Sequence, residues 1–164
     1  MSISFRDNPL SSDPSAVRAL AAGTGFFRPD EVDVAVELVE EHLAKGPASG
    51  YYFHFADINI GVPAGYVCYG PTPCTIGSFD LYWIVVGKDY QGGGLGLRLA
   101  RMAEQSALAR GGRRMYVETS GKEQYKPTQS FYVKAGYREA ARLPDFYDVG
   151  DDKIVFQKNL ATAP

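Results

Sequence analysis

Gln91-Gly92-Gly93-Gly94-Leu95-Gly96 is the segment of this chain whose residue types best suit a bound anion. Four of its six residues are glycines; the apolar run Ile84-Val85-Val86 precedes it, and an amphipathic stretch begins at Leu95. Glycine permits positive φ and leaves no Cβ between main chain and ligand. N–H groups that open a helix, at the positive end of its dipole, favour a group such as a pyrophosphate. Two familiar phosphate loops do not fit. A Walker loop needs Gly-Lys followed by Ser or Thr, whereas Gly87-Lys88 is followed by Asp89. In a dinucleotide G-x-G-x-x-G, the third glycine would fall on Leu97 or Leu99.

The pattern that does fit is Gln/Arg-x-x-Gly-x-Gly/Ala. Further pieces follow in order: Met115-Tyr-Val-Glu-Thr119, Ser130-Phe-Tyr132-Val-Lys-Ala-Gly136-Tyr137, an acidic loop and a last strand. From about Asp80 to Leu160 the chain resembles the GCN5-related N-acetyltransferase superfamily. The resemblance implies acetyl-CoA as cosubstrate, held by the backbone of Gln91, Gly92, Gly93, Gly94, Leu95 and Gly96. It also implies that Ile84, Val85 and Val86 line the cofactor and offer N–H donors to the acetyl carbonyl, beside a strand bulge. Tyr132, in the equivalent of the family's F-Y-x-x-x-G-F, would touch the CoA sulfur and donate a proton to it. One departure is Tyr125, seven residues before Tyr132, where many members carry asparagine.

Acetyl transfer from a thioester to an amine has three physical needs. The amine, with a free pKa near about 10.4, must lose its proton. The carbonyl oxygen needs a donor as it becomes negative. The thiolate, of reference pKa about 8.5, leaves more readily when protonated. For the first need there are two candidates. Glu118 matches the position used by ribosomal-protein N-terminal acetyltransferases and ranks ahead. Asp80, six residues before Val86, stands where histone-type members carry a glutamate base. Each has a structural alternative: an ion pair with Arg113 or Arg114 for Glu118, a bond to a turn N–H for Asp80, a packed aromatic for Tyr132. Asp145, Phe146 and Tyr147 fall in the acidic loop that the superfamily uses to shape its acceptor site, although acids also gather in exposed turns. Arg98 and Arg101, early in the helix after the glycines, could meet a phosphate or solvent.

The elements that must position these groups are legible in outline. Ile3 to Arg6 predicts a strand. Ser11-Ser-Asp13-Pro14 predicts a capped helix start, running to Gly23. A second helix spans Pro29 to Gly46, with Val32, Val36, Val39 and Leu43 inward. Tyr51 to Asp57 and Gly65 to Tyr69 predict an antiparallel hairpin, and Phe79 to Val86 a third strand. A helix over Leu95 to Arg110 follows, with Leu95, Leu99, Met102 and Ala103 on its inner face. Arg114 to Thr119, a short helix from Pro127 to Gly136, and strands at Tyr137 to Leu143 and Lys153 to Asn159 complete the order. A loop over Pro144 to Asp152 joins the last two strands. This is an α+β chain with a mixed, mostly antiparallel central sheet flanked by helices, as in the acetyltransferase fold.

At 164 residues the chain suits a single N-acetyltransferase domain over 1–164. A net charge of −2 gives no general attraction for nucleic acid or anionic membrane, and neither is expected as a partner. No apolar run approaches spanning length, and Met1-Ser-Ile-Ser-Phe-Arg lacks a signal-peptide pattern, so a cytoplasmic location is expected. Cys68 and Cys74 bracket a hairpin turn that a disulfide could cross, but read first as reduced thiols outside any nucleophile setting. His42 reads as a helix-surface residue and His54 as a strand residue; their spacing suits no metal, and none is expected. The chain therefore reads as an acetyl-CoA-dependent N-acetyltransferase acting by direct transfer in a ternary complex. Its acceptor would be a primary amine, a small molecule or amino acid ahead of a protein N-terminus or lysine. The rival is a non-catalytic acyl-CoA-binding or sensing module, which would keep Gln91 to Gly96 without needing Tyr132 or a strand carboxylate. A homodimer is left open.

Overall fold

The structure, a computed structural model, describes residues 2–161. Its strands are β1 (Ser4–Arg6), β2 (Tyr52–Asn59), β3 (Val62–Pro71), β4 (Ser78–Val86), β5 (Arg114–Ser120), β6 (Arg138–Asp148) and β7 (Asp151–Asn159). They form one seven-stranded sheet in the order β1-β2-β3-β4-β5-β7-β6. β4 and β5 are parallel, whereas β1–β2, β2–β3, β5–β7 and β6–β7 are antiparallel. Helices α1 (Asp13–Gly23), α2 (Pro29–Lys45), α3 (Leu95–Ala109) and α4 (Lys126–Lys134) complete the expected α+β architecture. Contacts gather in two compact units: residues up to Gly70 with Trp83–Ala103, and Pro71–Tyr82 with Glu104 onward.

In the first unit, apolar residues at helical spacing on α1 and α2 meet the alternating residues of the strands. Val17, Ala35, Val36 and Val39 pack with Phe53, Phe55, Tyr66, Cys68 and Val85. α2 starts on Pro29, and the Glu31 carboxylate accepts the Arg28 N–H at 2.8 Å, which satisfies one donor at the helix start. The expected side-chain cap of α1 is not formed: Ser12 precedes the helix without a capping bond. Instead, the buried Asp13 carboxylate accepts the Leu10 N–H at 2.6 Å and both terminal nitrogens of Arg6 at 2.7 Å. Arg6 also donates from Nε to Asp57 at 2.7 Å, so one cation offsets two buried acids and ties β1 to α1 and β2.

His42 and Leu43 exchange their expected roles. The His42 ring packs edge-on against Phe53 with its Nδ1 2.5 Å from the Tyr51 carbonyl oxygen, while Leu43 is exposed. The inward stripe thus runs Ala35, Val39, His42, an equally regular helical series. Within β3, Gly65 is required by close approach: a Cβ there would stand 2.8 Å from the Val85 carbonyl oxygen and 3.3 Å from Leu99 Cδ1. Gly65→Ala is expected to cost about 1–3 kcal/mol through overpacking. Urea unfolding reads this as a lower midpoint, and an unchanged midpoint would contradict the packing described.

In the second unit, α3 continues from Glu104 and α4 packs with strands β5 and β7. Met115, Val117, Ile154, Phe156, Tyr132 and Tyr137 are buried there. β6 is the last strand of the sheet, and each of its residues is exposed. It carries the features that blunt an edge: register shifts, Pro144, and alternating charge at Arg138, Glu139 and Arg142. The long loop expected over Pro144 to Asp152 is a hairpin instead. β6 runs on to Asp148 and β7 begins at Asp151, with Asp148 paired to Asp151.

Candidate active site

β4 delivers the chain into the glycine turn. Val85 is buried, and Ile84 and Val86 are half-buried at the strand end. The Gln91 side chain donates from Nε2 to the Val86 carbonyl oxygen at 2.9 Å, fastening the turn to the strand. Gly92 and Gly94 have φ of +82° and +81°, in the left-handed region that glycine alone adopts without strain. A Cβ at Gly92, Gly93 or Gly94 would meet no atom within 4 Å, so the main chain is open to a ligand along this stretch. At the start of α3 the Arg98 N–H bonds the Gly94 carbonyl at 3.0 Å. The N–H groups before it lack intrahelical acceptors. An open cradle of donors at a helix N-terminus fits the pyrophosphate of coenzyme A. Arg98 stacks on the Phe5 ring at 4.0 Å, and Arg101 is exposed.

The two candidate bases lie in the second unit. The β4–β5 ladder has three pairs, Ser78–Arg114, Phe79–Met115 and Asp80–Tyr116. Asp80 therefore shares a sheet face with Tyr116 and, by strand alternation, with Glu118. The half-buried Asp80 carboxylate accepts the Thr72 hydroxyl at 2.7 Å rather than the turn N–H expected of a strand-start acid. Burial raises its pKa above the ordinary carboxylate value. The negative charge of Glu118 adds to this, against the pull of Thr72, Tyr82 and Lys153. Glu118 is paired neither to Arg113 nor to Arg114 but to Lys153, at 2.8 Å. The Lys153 side chain is 14 % exposed against 54 % for Glu118, and its ammonium also lies 4.2 Å from the Phe146 ring centroid. Lys153 and Thr72 escaped the sequence reading. Their roles follow from the register of β5 against β7 and from the turn before β4, which no local motif encodes.

Tyr132 lies on the opposite face of the same strands. Its ring packs against Phe156 at 6.0 Å, Tyr137 at 5.6 Å and Phe131 at 5.2 Å. Phe156 pairs with Val117, one residue out of phase with Glu118. Burial pushes the Tyr132 phenol well up, so it keeps its proton throughout the neutral range. Asp80, with its raised carboxyl, and Tyr132, with its protonated phenol, thus approach the strands of this unit from opposite faces.

The acids of the last hairpin serve its backbone. Asp145, at φ +53°, accepts the Gly150 N–H at 2.7 Å, and Asp148 accepts that of Val149 at 2.8 Å. Asp152 accepts the Asp145 N–H at 3.0 Å. Phe146 and Tyr147 remain about half exposed, edge to face at 5.1 Å. Cys68 and Cys74 are free thiols; Cys68 is buried, which pushes its pKa well up and leaves it a poor nucleophile. His54 is a strand residue stacked on Tyr69. Among the described residues no three His, Cys, Asp or Glu side chains gather as metal ligands. No helix among them is long and apolar enough to cross a membrane.

Comparison with known proteins places this geometry. The model of the Acetyltransferase (GNAT) family matches residues 18–137. A crystal structure from Desulfovibrio desulfuricans, provisionally assigned as a GNAT-family acetyltransferase, is 46% identical. It superposes with a TM-score of 0.95 over 97% of this chain and 99% of its own. An aminoglycoside 6'-N-acetyltransferase complexed with coenzyme A is 22% identical, with a TM-score of 0.78 over 100% of this chain and 99% of its own. A Salmonella typhimurium protein, yncA, seen with acetyl-CoA, is 17% identical, with a TM-score of 0.74 over 100% of this chain and 97% of its own. No curated protein sequence matches the chain. Family model, close structural relative and fold agree with the glycine turn and the strand order: the chain belongs to the GNAT family and is an N-acetyltransferase.

Proposed function

We propose that this single acetyltransferase domain transfers the acetyl group of acetyl-CoA directly to a primary amine on a small molecule or amino acid. The observation that carries the reading is the open glycine turn, whose donors suit the pyrophosphate of the cosubstrate. Acetyl-CoA supplies the activated thioester. Asp80 takes the amine proton, directly or through a water, as the nitrogen bonds the acetyl carbon. Tyr132 gives its phenolic proton to the sulfur as the carbon–sulfur bond breaks. Main-chain N–H groups of Ile84 to Val86 support the carbonyl oxygen. Asp80 replaces Glu118 as the first choice of base, because Glu118 is held by Lys153 while burial has made Asp80 more basic. Phe146 and Tyr147 would present aromatic surface to a cationic acceptor, and the acids beside them hold the hairpin in shape.

Tyr132→Phe removes only the hydroxyl, and turnover is expected to fall roughly ten- to a thousandfold at unchanged coenzyme A affinity. Full turnover with chemistry limiting would return Tyr132 to the aromatic core. The small-molecule reading is supported by the fold shared with aminoglycoside acetyltransferases. It has a rival in a NatC complex bound to a peptide, which shares the fold at 13% identity. A free-thiol assay with acetyl-CoA, run in parallel on small amines, amino acids and peptides with free N-termini, decides between them. Activity confined to peptides would overturn the proposed acceptor class. Saturable coenzyme A binding with no thiol release on any amine would favour a sensing module.

A further inference from the structure

Behind Tyr132 the unit holds an ion pair between the half-buried Lys158 and the buried Glu104, with no part in the chemistry above. Lys158 Nζ, from β7, donates to both oxygens of Glu104, on α3, at 2.6 and 3.1 Å, and to the Ala135 carbonyl at 2.8 Å. Ala135 caps the C-terminus of α4, three residues beyond Tyr132. The next two residues meet the same lysine. Gly136, at φ +96°, lies beside it, where a Cβ would stand in ordinary contact, 3.4 Å from Lys158 Cε. The Tyr137 ring centroid is 5.6 Å from Lys158 Nζ. Tyr137 in turn donates its N–H to the Tyr132 carbonyl at 2.9 Å and sets its ring against the Tyr132 ring. One ammonium thus ties α3, β7 and the last turn of α4 together, at the negative end of that helix.

We infer that Lys158 and Glu104 are positioning residues for the reaction, holding the α4 turn so that the Tyr132 hydroxyl stays in register with the leaving sulfur. This rests on Tyr132 as the acid. An apolar pair would fill the same space and is often as stable as a buried ion pair, which makes a role in geometry separable from one in stability. Removing Lys158 alone would strand a buried carboxylate and unfold the turn, so the informative variant carries Glu104→Met with Lys158→Met.

The paired variant is expected to melt at or above the wild-type temperature, with an unchanged KM for acetyl-CoA. Its kcat should be lower by roughly ten- to a hundredfold, as small misplacements of a reacting group cost. In a Tyr132→Phe background the same pair of changes should lower kcat no further, because the hydroxyl it positions is already gone. Wild-type kcat in the paired variant, while Tyr132→Phe alone is slow, would overturn the inference and leave the acid assignment standing. An equal loss in both backgrounds would also overturn it. Full turnover in Tyr132→Phe alone would remove the acid assignment and the inference with it.

Discussion

Gly94→Asp is expected to abolish coenzyme A binding while the protein keeps its fold. Gly94 sits immediately before α3 at φ +81°, with open space where a Cβ would stand. An aspartate there would place its carboxylate among the first-turn N–H groups, becoming the helix's own anion and competing with the pyrophosphate. The favourable interaction with the helix start offsets part of the cost of a non-glycine residue at positive φ, so stability should change little. Affinity, by contrast, loses its donors and gains a repulsive charge, and a drop of at least about a hundredfold is expected. Gly94→Ala separates the two effects, since it adds the Cβ and the strain without the charge and should weaken binding much less. Titration calorimetry with coenzyme A reads both, with circular dichroism as the check on the fold. Unchanged affinity in Gly94→Asp would place the cofactor elsewhere.

Asp80→Asn should lower turnover by roughly 10²- to 10⁴-fold, the range for a general base. The deprotonated carboxylate is the active form, so kcat rises with pH through the Asp80 pKa and then levels, and the asparagine variant lacks that limb. Glu118→Gln gives the opposite signature. The charge of Glu118 helps to hold the Asp80 pKa up, and Lys153 pulls it down. Neutralising Glu118 removes the first effect and releases Lys153 from its 2.8 Å pair. The Glu118→Gln limb should therefore persist and move to lower pH. The comparison needs one acceptor amine throughout, so that its own titration is common to all three profiles. A limb lost in Glu118→Gln and kept in Asp80→Asn would reverse the assignment.

What was legible in the sequence was local. The glycine turn, Pro29 at the start of α2, and the apolar stripe of α3 each declare themselves within one segment, and the structure builds them as expected. The hairpin at Asp145 to Asp152 misled because its residue types suit turns. Its carboxylates bond backbone N–H groups inside the hairpin, and pairing resumes at Asp148–Asp151. The partners of the candidate bases were not legible. Glu118 meets Lys153 because β5 and β7 pair with Ser120 opposite Lys153, a register no short motif specifies. The two faces that carry Asp80 and Tyr132 likewise depend on Asp80 lying opposite Tyr116. His42 and Leu43 show the same limit on a helix, where two neighbouring stripes are equally periodic and only the facing Phe53 and Tyr51 choose between them.

In the proposed reaction, acetyl-CoA held at Gln91 to Gly96 gives its acetyl group directly to an amine. Its most direct test is a paired measurement of free thiol and acetylated amine by mass spectrometry, on the wild type and on Gly94→Asp. Thiol and acetylated amine are expected in equal amounts, formed only when amine is present, with both absent in the variant. Thiol release without amine accompanied by an acetyl group on the protein, or equal product formation by Gly94→Asp, would contradict it.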